Sequence, residues 1–269
     1  MPFLSDTHCH LYMQDYENDL EEVINRAYAG GVRNVLIPGI DLETSRNSIS
    51  LCEKYPDFLF AAIGIHPNHS ACVNQLVLEN LESLIDNPKV LAIGEIGLDF
   101  YRNKSPVNDQ IDIFQKMLAF SKKLEKPVCL HNRDADVEII KILDSWYSGL
   151  LQSQSRLVMH PGVFHSFSGS EIISEWALAH NFFLGISGPV TFSKSQRLQE
   201  TIEKIDISNL IIETDAPYLC PHPYRGKRNE PLYVKFIAEK LAEMKKLEIN
   251  EVIAITSENA KNLFSWNSV

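Results

Sequence analysis

Three observations predict an eight-stranded α/β barrel. Short, nearly continuous apolar runs recur eight times along the chain, the pattern of parallel strands buried on both faces. An amphipathic helical pattern follows each run, as in repeated βα units. No G-x-G-x-x-G loop follows the first run, so the competing doubly wound open sheet lacks its main signature. The 269 residues suit one (β/α)8 barrel of about 250 residues, so residues 1–269 are expected to form a single domain.

The expected strands are residues 3–8 (FLSDTH), 34–39 (NVLIPG), 58–67 (FLFAAIGIHP) and 90–97 (VLAIGEIG), then 127–132 (PVCLHN), 162–167 (GVFHSF), 182–188 (FFLGISG) and 209–215 (NLIIETD). Helical spacing of apolar residues marks 17–31, 41–55, 74–86, 107–125, 134–147, 170–180 and 195–205, and a terminal pair at 231–246 and 250–264. Gly30 and Gly31 are placed to end the first helix, and Asp41, Ser170 and Asn250 to cap the starts of three others. The stretch 148–162 (SGLLQSQSRLVMHPG) reads as a polar surface insertion before the sixth strand.

Charge and composition narrow the function. The formal net charge is -10, which excludes a general nucleic-acid coat protein but not an enzyme that meets phosphate in one small pocket. The five cysteines are scattered, odd in number and free of C-x-x-C pairs, so they read as reduced thiols. The start, MPFLSDTHCH, lacks a basic region and a long apolar stretch, and no run approaches the roughly 18–20 apolar residues of a membrane helix. A cytoplasmic protein without a membrane segment is expected, and no obligate protein partner is evident.

Polar residues collect at one end of the strands. His8 and His10 end the first with their side chains on one face, because strand residues alternate and Cys9 points the other way. His66 ends the third strand, the fourth reaches Glu95, His131 ends the fifth, His165 lies in the sixth and Asp215 ends the eighth. In a barrel these C-terminal ends converge on one mouth, where active sites are built. Each residue has a plainer use by itself: the histidine pair as a surface cap, Glu95 in a buried ion pair, His131 as a satisfied core histidine, Asp215 as a helix cap. Leaving His66 aside, the other six stand together at the ends of five strands, where the plain uses require five coincidences. Four histidines and two carboxylates form a nitrogen/oxygen set suited to Zn, Mn or Mg. A carboxylate between two such ions activates water without a serine or cysteine nucleophile, and no G-x-S-x-G elbow is present.

DTHCH (6–10), GIHP (64–67), GEIGLDFY (94–101), HNRDA (131–135), HSFSG (165–169), SGPVTF (187–192), ETDAPYL (213–219) and RGKRNEP (225–231) resemble, in order along essentially the whole chain, the TatD-type metal-dependent deoxyribonucleases of the amidohydrolase-like barrels. The resemblance implies a 3′-to-5′ exodeoxyribonuclease that takes single strands or 3′ ends of DNA and uses water activated by two divalent ions per chain (Mg, Mn or Zn). Carried over by motif, His8, His10, Glu95 and Asp215 would bind one ion. Glu95, His131 and His165 would bind the other, with Glu95 bridging and Asp215 doubling as the base. His66, Arg133, Arg225, Arg228 and Asn229 would contact phosphate, and Phe100 and Tyr218 would stack a terminal base.

The chain departs from the family pattern in three places. Ser193 separates T-F from Lys194, Asn68 and His69 follow Pro67 where the family often has histidine directly, and Ser166 stands at a usual cysteine. None of these removes an expected metal ligand. Two other functions fit the residues: a barrel hydrolase of a small phosphoester, lactone or amide, and a non-catalytic binding module. The intact ligand set counts against the second.

Overall fold

The computed structural model describes residues 2–266. Eight parallel strands pair in sequence order: β1 (Leu4–Asp6), β2 (Val32–Pro38), β3 (Leu59–Ile63), β4 (Val90–Asp99), β5 (Val128–Arg133), β6 (Gly162–Phe164), β7 (Phe183–Ile186) and β8 (Leu210–Ile212). The first and last meet through short contacts rather than a long ladder. The Thr7 amide donates to the Ile212 carbonyl at 3.2 Å and the His10 amide to the Ala216 carbonyl at 2.7 Å, and Cys9 bridges Ala216 in parallel. The strands thus form the expected (β/α)8 barrel.

Helices alternate with the strands: α1 (Leu20–Ala29), α2 (Leu42–Lys54), α3 (Gln75–Glu82), α4 (Val107–Leu124), α5 (Asp136–Gln152), α6 (Glu171–Ala179), α7 (Gln196–Lys204) and α8 (Val234–Lys245). A further helix, α9 (Ile249–Phe264), crosses the barrel floor. The larger apolar cluster lies between strands and helices, and a second fills the barrel with residues such as Leu36, Phe60, Val163 and Ile211. Trp266, just past α9, joins this inner cluster with its ring 5.5 Å from that of Phe60. The floor is therefore plugged, which leaves the C-terminal mouth as the open end.

Several boundaries differ from the sequence reading. β1, β3, β6 and β8 stop short, and the chain beyond them keeps only scattered backbone bonds to its neighbours, such as the His165 amide to the Leu130 carbonyl and the Phe167 amide to the Gly185 carbonyl. β4 runs on to Asp99, and α5 continues to Gln152. The first residues of the supposed insertion are thus helical, with Leu150 buried, and Leu157 is buried in a short 3-10 turn at Arg156–Met159. Asp41 and Ser170 do cap α2 and α6, and Gly30 ends α1. Asn250 does not cap α9; it lies in the first turn, one residue after Ile249, and Glu248 occupies the cap position.

Candidate metal centre

Each polar side chain at the mouth is aimed by local backbone. His8 and His10 lie just past β1, where the bridge of Cys9 to Ala216 extends the strand and keeps both imidazoles on the inner side. Glu95 lies inside β4, where the register against β5 gains one residue between Ile93 and Ile96. An extra residue re-aims the side chains beside it. Gly97, two residues on, has φ +141, and a side chain there would overlap the His131 carbonyl oxygen, so only glycine lets β4 and β5 approach this closely.

The two oxygens of Glu95 face different partners. Oε2 lies 3.5 Å from His8 Nε2 and 3.8 Å from His10 Nε2. Oε1 lies 2.8 Å from His131 Nδ1 and 3.1 Å from His165 Nε2. Asp215 Oδ1 completes the first group, 3.5 Å from His10 Nε2 and 3.9 Å from His8 Nε2, and these two nitrogens are 3.2 Å apart. Metal bonds of about 2.1 Å place tetrahedral ligand atoms about 3.4 Å apart, so this spacing fits an ion. Both groups offer the imidazole and carboxylate donors that Zn, Mn and Mg accept.

The charges are balanced within the cluster. Burial would raise the Glu95 carboxyl, but His165, His66 and His131 hold it well below the usual carboxylate range. Asp215 is also buried, and its bond to His10 with the charges of His165 and His8 keeps it low. Burial opposes a charge on His165 and His131, yet Glu95 and Glu213 raise the first and Asp99 and Glu95 raise the second. The imidazoles around them thus favour the charged form of both carboxylates. Divalent ions would take over that compensation.

Two carboxylates that spacing alone leaves without a role orient the ligands. Glu213 Oε1 sits 3.3 Å from His165 Nδ1 and accepts the Ser166 amide at 2.5 Å. Asp99 Oδ2 sits 3.4 Å from His131 Nε2 and accepts from Asn68 Nδ2 at 3.0 Å. Such outer partners fix which imidazole nitrogen is free to bind metal. Their signal in the sequence is the period of two, since Asp99 follows Glu95 by four and Glu213 precedes Asp215 by two. A third partner, the Tyr12 hydroxyl, lies 2.9 Å from His10 Nδ1.

The centre opens into a cavity of about 1480 Å³. His66, Arg133, Phe100 and Tyr218 line it, as do Lys194, the lysine displaced by Ser193, and three cations not singled out in the sequence: Arg102, Lys104 and Arg197. Three expected phosphate contacts lie elsewhere. Arg228 is engaged by both oxygens of Asp19 at 2.7 Å, because the loop after β8 folds back on α1. Asn229 is fully buried and donates to the Thr214 and Tyr218 carbonyls, a backbone tie rather than a phosphate contact. Arg225 lies over the Phe192 ring and is not part of the cavity wall.

The family model of TatD related DNase matches residues 5–265. The chain belongs to the TatD-related DNase family. It is similar to an uncharacterized metal-dependent hydrolase of Bacillus subtilis, YabD, with 40% identity over 98% of this chain and 100% of that protein. The 3′-5′ ssDNA/RNA exonuclease TatD of Erwinia tasmaniensis is 33% identical over 97% of this chain and 99% of its own length. Among solved structures, the TatD homolog YJJV of Escherichia coli superposes with a TM-score of 0.89 at 27% identity, over 98% of each chain. As a TatD-family protein this chain is a metal-dependent hydrolase, and its His/Glu/Asp clusters are able to hold metal. Among the described residues no helix is long and apolar enough to cross a membrane.

Proposed function

We propose that this TatD-family hydrolase is a 3′-to-5′ exodeoxyribonuclease acting on single strands or 3′ ends of DNA with two divalent ions per chain, and that residues 1–269 act as one domain. The observation that carries the reading is the division of the Glu95 carboxylate between two imidazole pairs, inside a cavity rimmed by cations. His8, His10, Asp215 and Glu95 Oε2 would hold one ion, and His131, His165 and Glu95 Oε1 the other. When bound, such ions polarise a phosphoryl oxygen and make water a better nucleophile at neutral pH.

The remaining steps belong to the chain. Asp215 is held ionised at the cavity wall and accepts the proton of the attacking water. His66 presents a neutral donor: the Asn68 amide donates to its Nδ1 at 3.1 Å, so the hydrogen is on Nε2, and burial pushes its pKa down to about 3. That N–H suits a phosphate oxygen and argues against His66 as a metal ligand. Arg102, Arg133, Lys194 and Arg197 offset the charge of successive phosphates. The five free thiols support a reducing, cytoplasmic setting.

The relatives named 3′-5′ ssDNA/RNA exonuclease support a single-stranded substrate and its polarity. The test is digestion of 5′-labelled single-stranded and duplex DNA with Mg or Mn, beside EDTA and Glu95→Ala controls. The expected result is a ladder shortening from the 3′ end, abolished in both controls. Metal bound at the centre without any cleavage of DNA would overturn DNA as the substrate and point to a small phosphoester, lactone or amide.

A further inference from the structure

We infer that a basic and aromatic track outside the cavity, built mainly by the loop between β8 and α8, holds the uncleaved part of a single-stranded nucleic acid. The inference rests on the nuclease reading and adds a second binding surface to it. The loop leaves the mouth at Asp215 and Tyr218, passes Arg225 and Lys227, and enters α8, where Lys235 lies in the first turn. Arg225 lies 4.4 Å over the Phe192 ring, in the segment that leads to the cavity-lining Lys194. Beyond it the rings of Tyr224 and Tyr233 stack at 4.7 Å and 9°, with Phe236 against both. The Nζ atoms of Lys227 and Lys235 lie 5.7 Å and 4.8 Å from the Tyr224 and Phe236 centroids, and these five residues line a surface cleft of about 480 Å³.

Charge identifies the occupant. The protein as a whole carries -10, yet this strip concentrates positive groups. Arg26 and Arg228 at its edge are paired with Glu230 and Asp19. Among the described residues, Arg225, Lys227 and Lys235 form no ion pair with a carboxylate, which leaves their charge for a ligand. Unpaired cations beside flat ring faces match a polymer that alternates phosphates with bases, the combination found in surfaces for single strands. A compact acidic ligand would use the cations but not the rings. A duplex would keep its bases stacked inside and away from them.

The test is fluorescence anisotropy with the full chain in EDTA, where no cleavage competes, using labelled oligothymidylates of about three and about 20 nucleotides. The wild type is expected to bind the longer probe at least about tenfold more tightly. Lys227→Glu/Lys235→Glu, and separately Tyr224→Ala, are expected to close most of that gap. The charge variant should also flatten the salt dependence of the long probe by about 0.7 in log–log slope for each phosphate that is no longer neutralised. Thermal midpoints identify any variant that has failed to fold, and the milder Lys227→Ala then replaces it. Equal affinity for both probes in the wild type, or an unchanged gap and salt slope in the variants, would overturn the track. Weakening both probes equally would overturn it too, placing the effect in the cavity at the metal centre. Failure of the nuclease reading is a separate result: no DNA is cleaved when metal is restored, whatever the anisotropy.

Discussion

Glu95 gains its position from the register shift inside β4, and its two oxygens give the centre its two-sided form. Glu213 and Asp99 act one step further out, each behind a histidine that faces Glu95. Glu213→Gln is expected to weaken metal binding by about 10–100-fold, because the amide no longer sets the charge and tautomer of His165. Competition against a metal-sensing dye measures this directly, and unchanged affinity would show that the Glu213 carboxylate does not orient His165. The candidate ligands were legible in the sequence because histidine at the end of an apolar strand is conspicuous. Arg228 and Asn229 misled because RGKRNEP is a linear motif whose side chains are divided in space, some pairing with α1 and some tying the backbone of the mouth.

The elements were legible wherever burial imposes an apolar run, and less so where a strand hands over to a loop. β8 ends at Ile212 although the apolar-to-acidic stretch suggested 215, because Thr214 bonds to Asp6 across the mouth instead of extending the ladder. Caps were readable when the side chain bonds back to its own helix. The Asp41 carboxylate accepts the Thr44 amide at 2.8 Å, and Thr44 Oγ1 accepts the Asp41 amide, so Asp41→Ala is expected to cost about 1 kcal/mol in urea unfolding. His69 at 3.0 Å and the Thr44 bonds hold this carboxyl down to about 2. Its folded value therefore lies below the unfolded one of about 3.9. The stabilisation is complete above that value and is lost as pH falls toward 2. The difference between wild type and Asp41→Ala should accordingly narrow between about pH 5 and pH 2, and a constant difference would contradict the assignment.

At the scale of the molecule, the barrel is closed below and open above. Trp266 is 1% exposed and seals the floor against Phe60 and Phe264. Trp266→Ala is expected to destabilise the whole barrel by about 3–5 kcal/mol in denaturant titrations. A loss below about 1 kcal/mol would mean that the floor is held without it. The acidic surface and the cationic mouth are compatible because ions and arginines set the local sign while the net charge stays at -10. The sequence could not convey this contrast, since Arg102 and Arg197 are far apart in the chain and meet at the cavity only through the closure of the barrel. One carboxylate, Glu95, is proposed to join two metal sites. Equilibrium dialysis with Mn measures this most directly, comparing wild type with Glu95→Gln. Saturation at two ions per wild-type chain, with both sites weakened together by the substitution, is the expected result. A single ion per chain, or two whose affinity ignores Glu95, would contradict it.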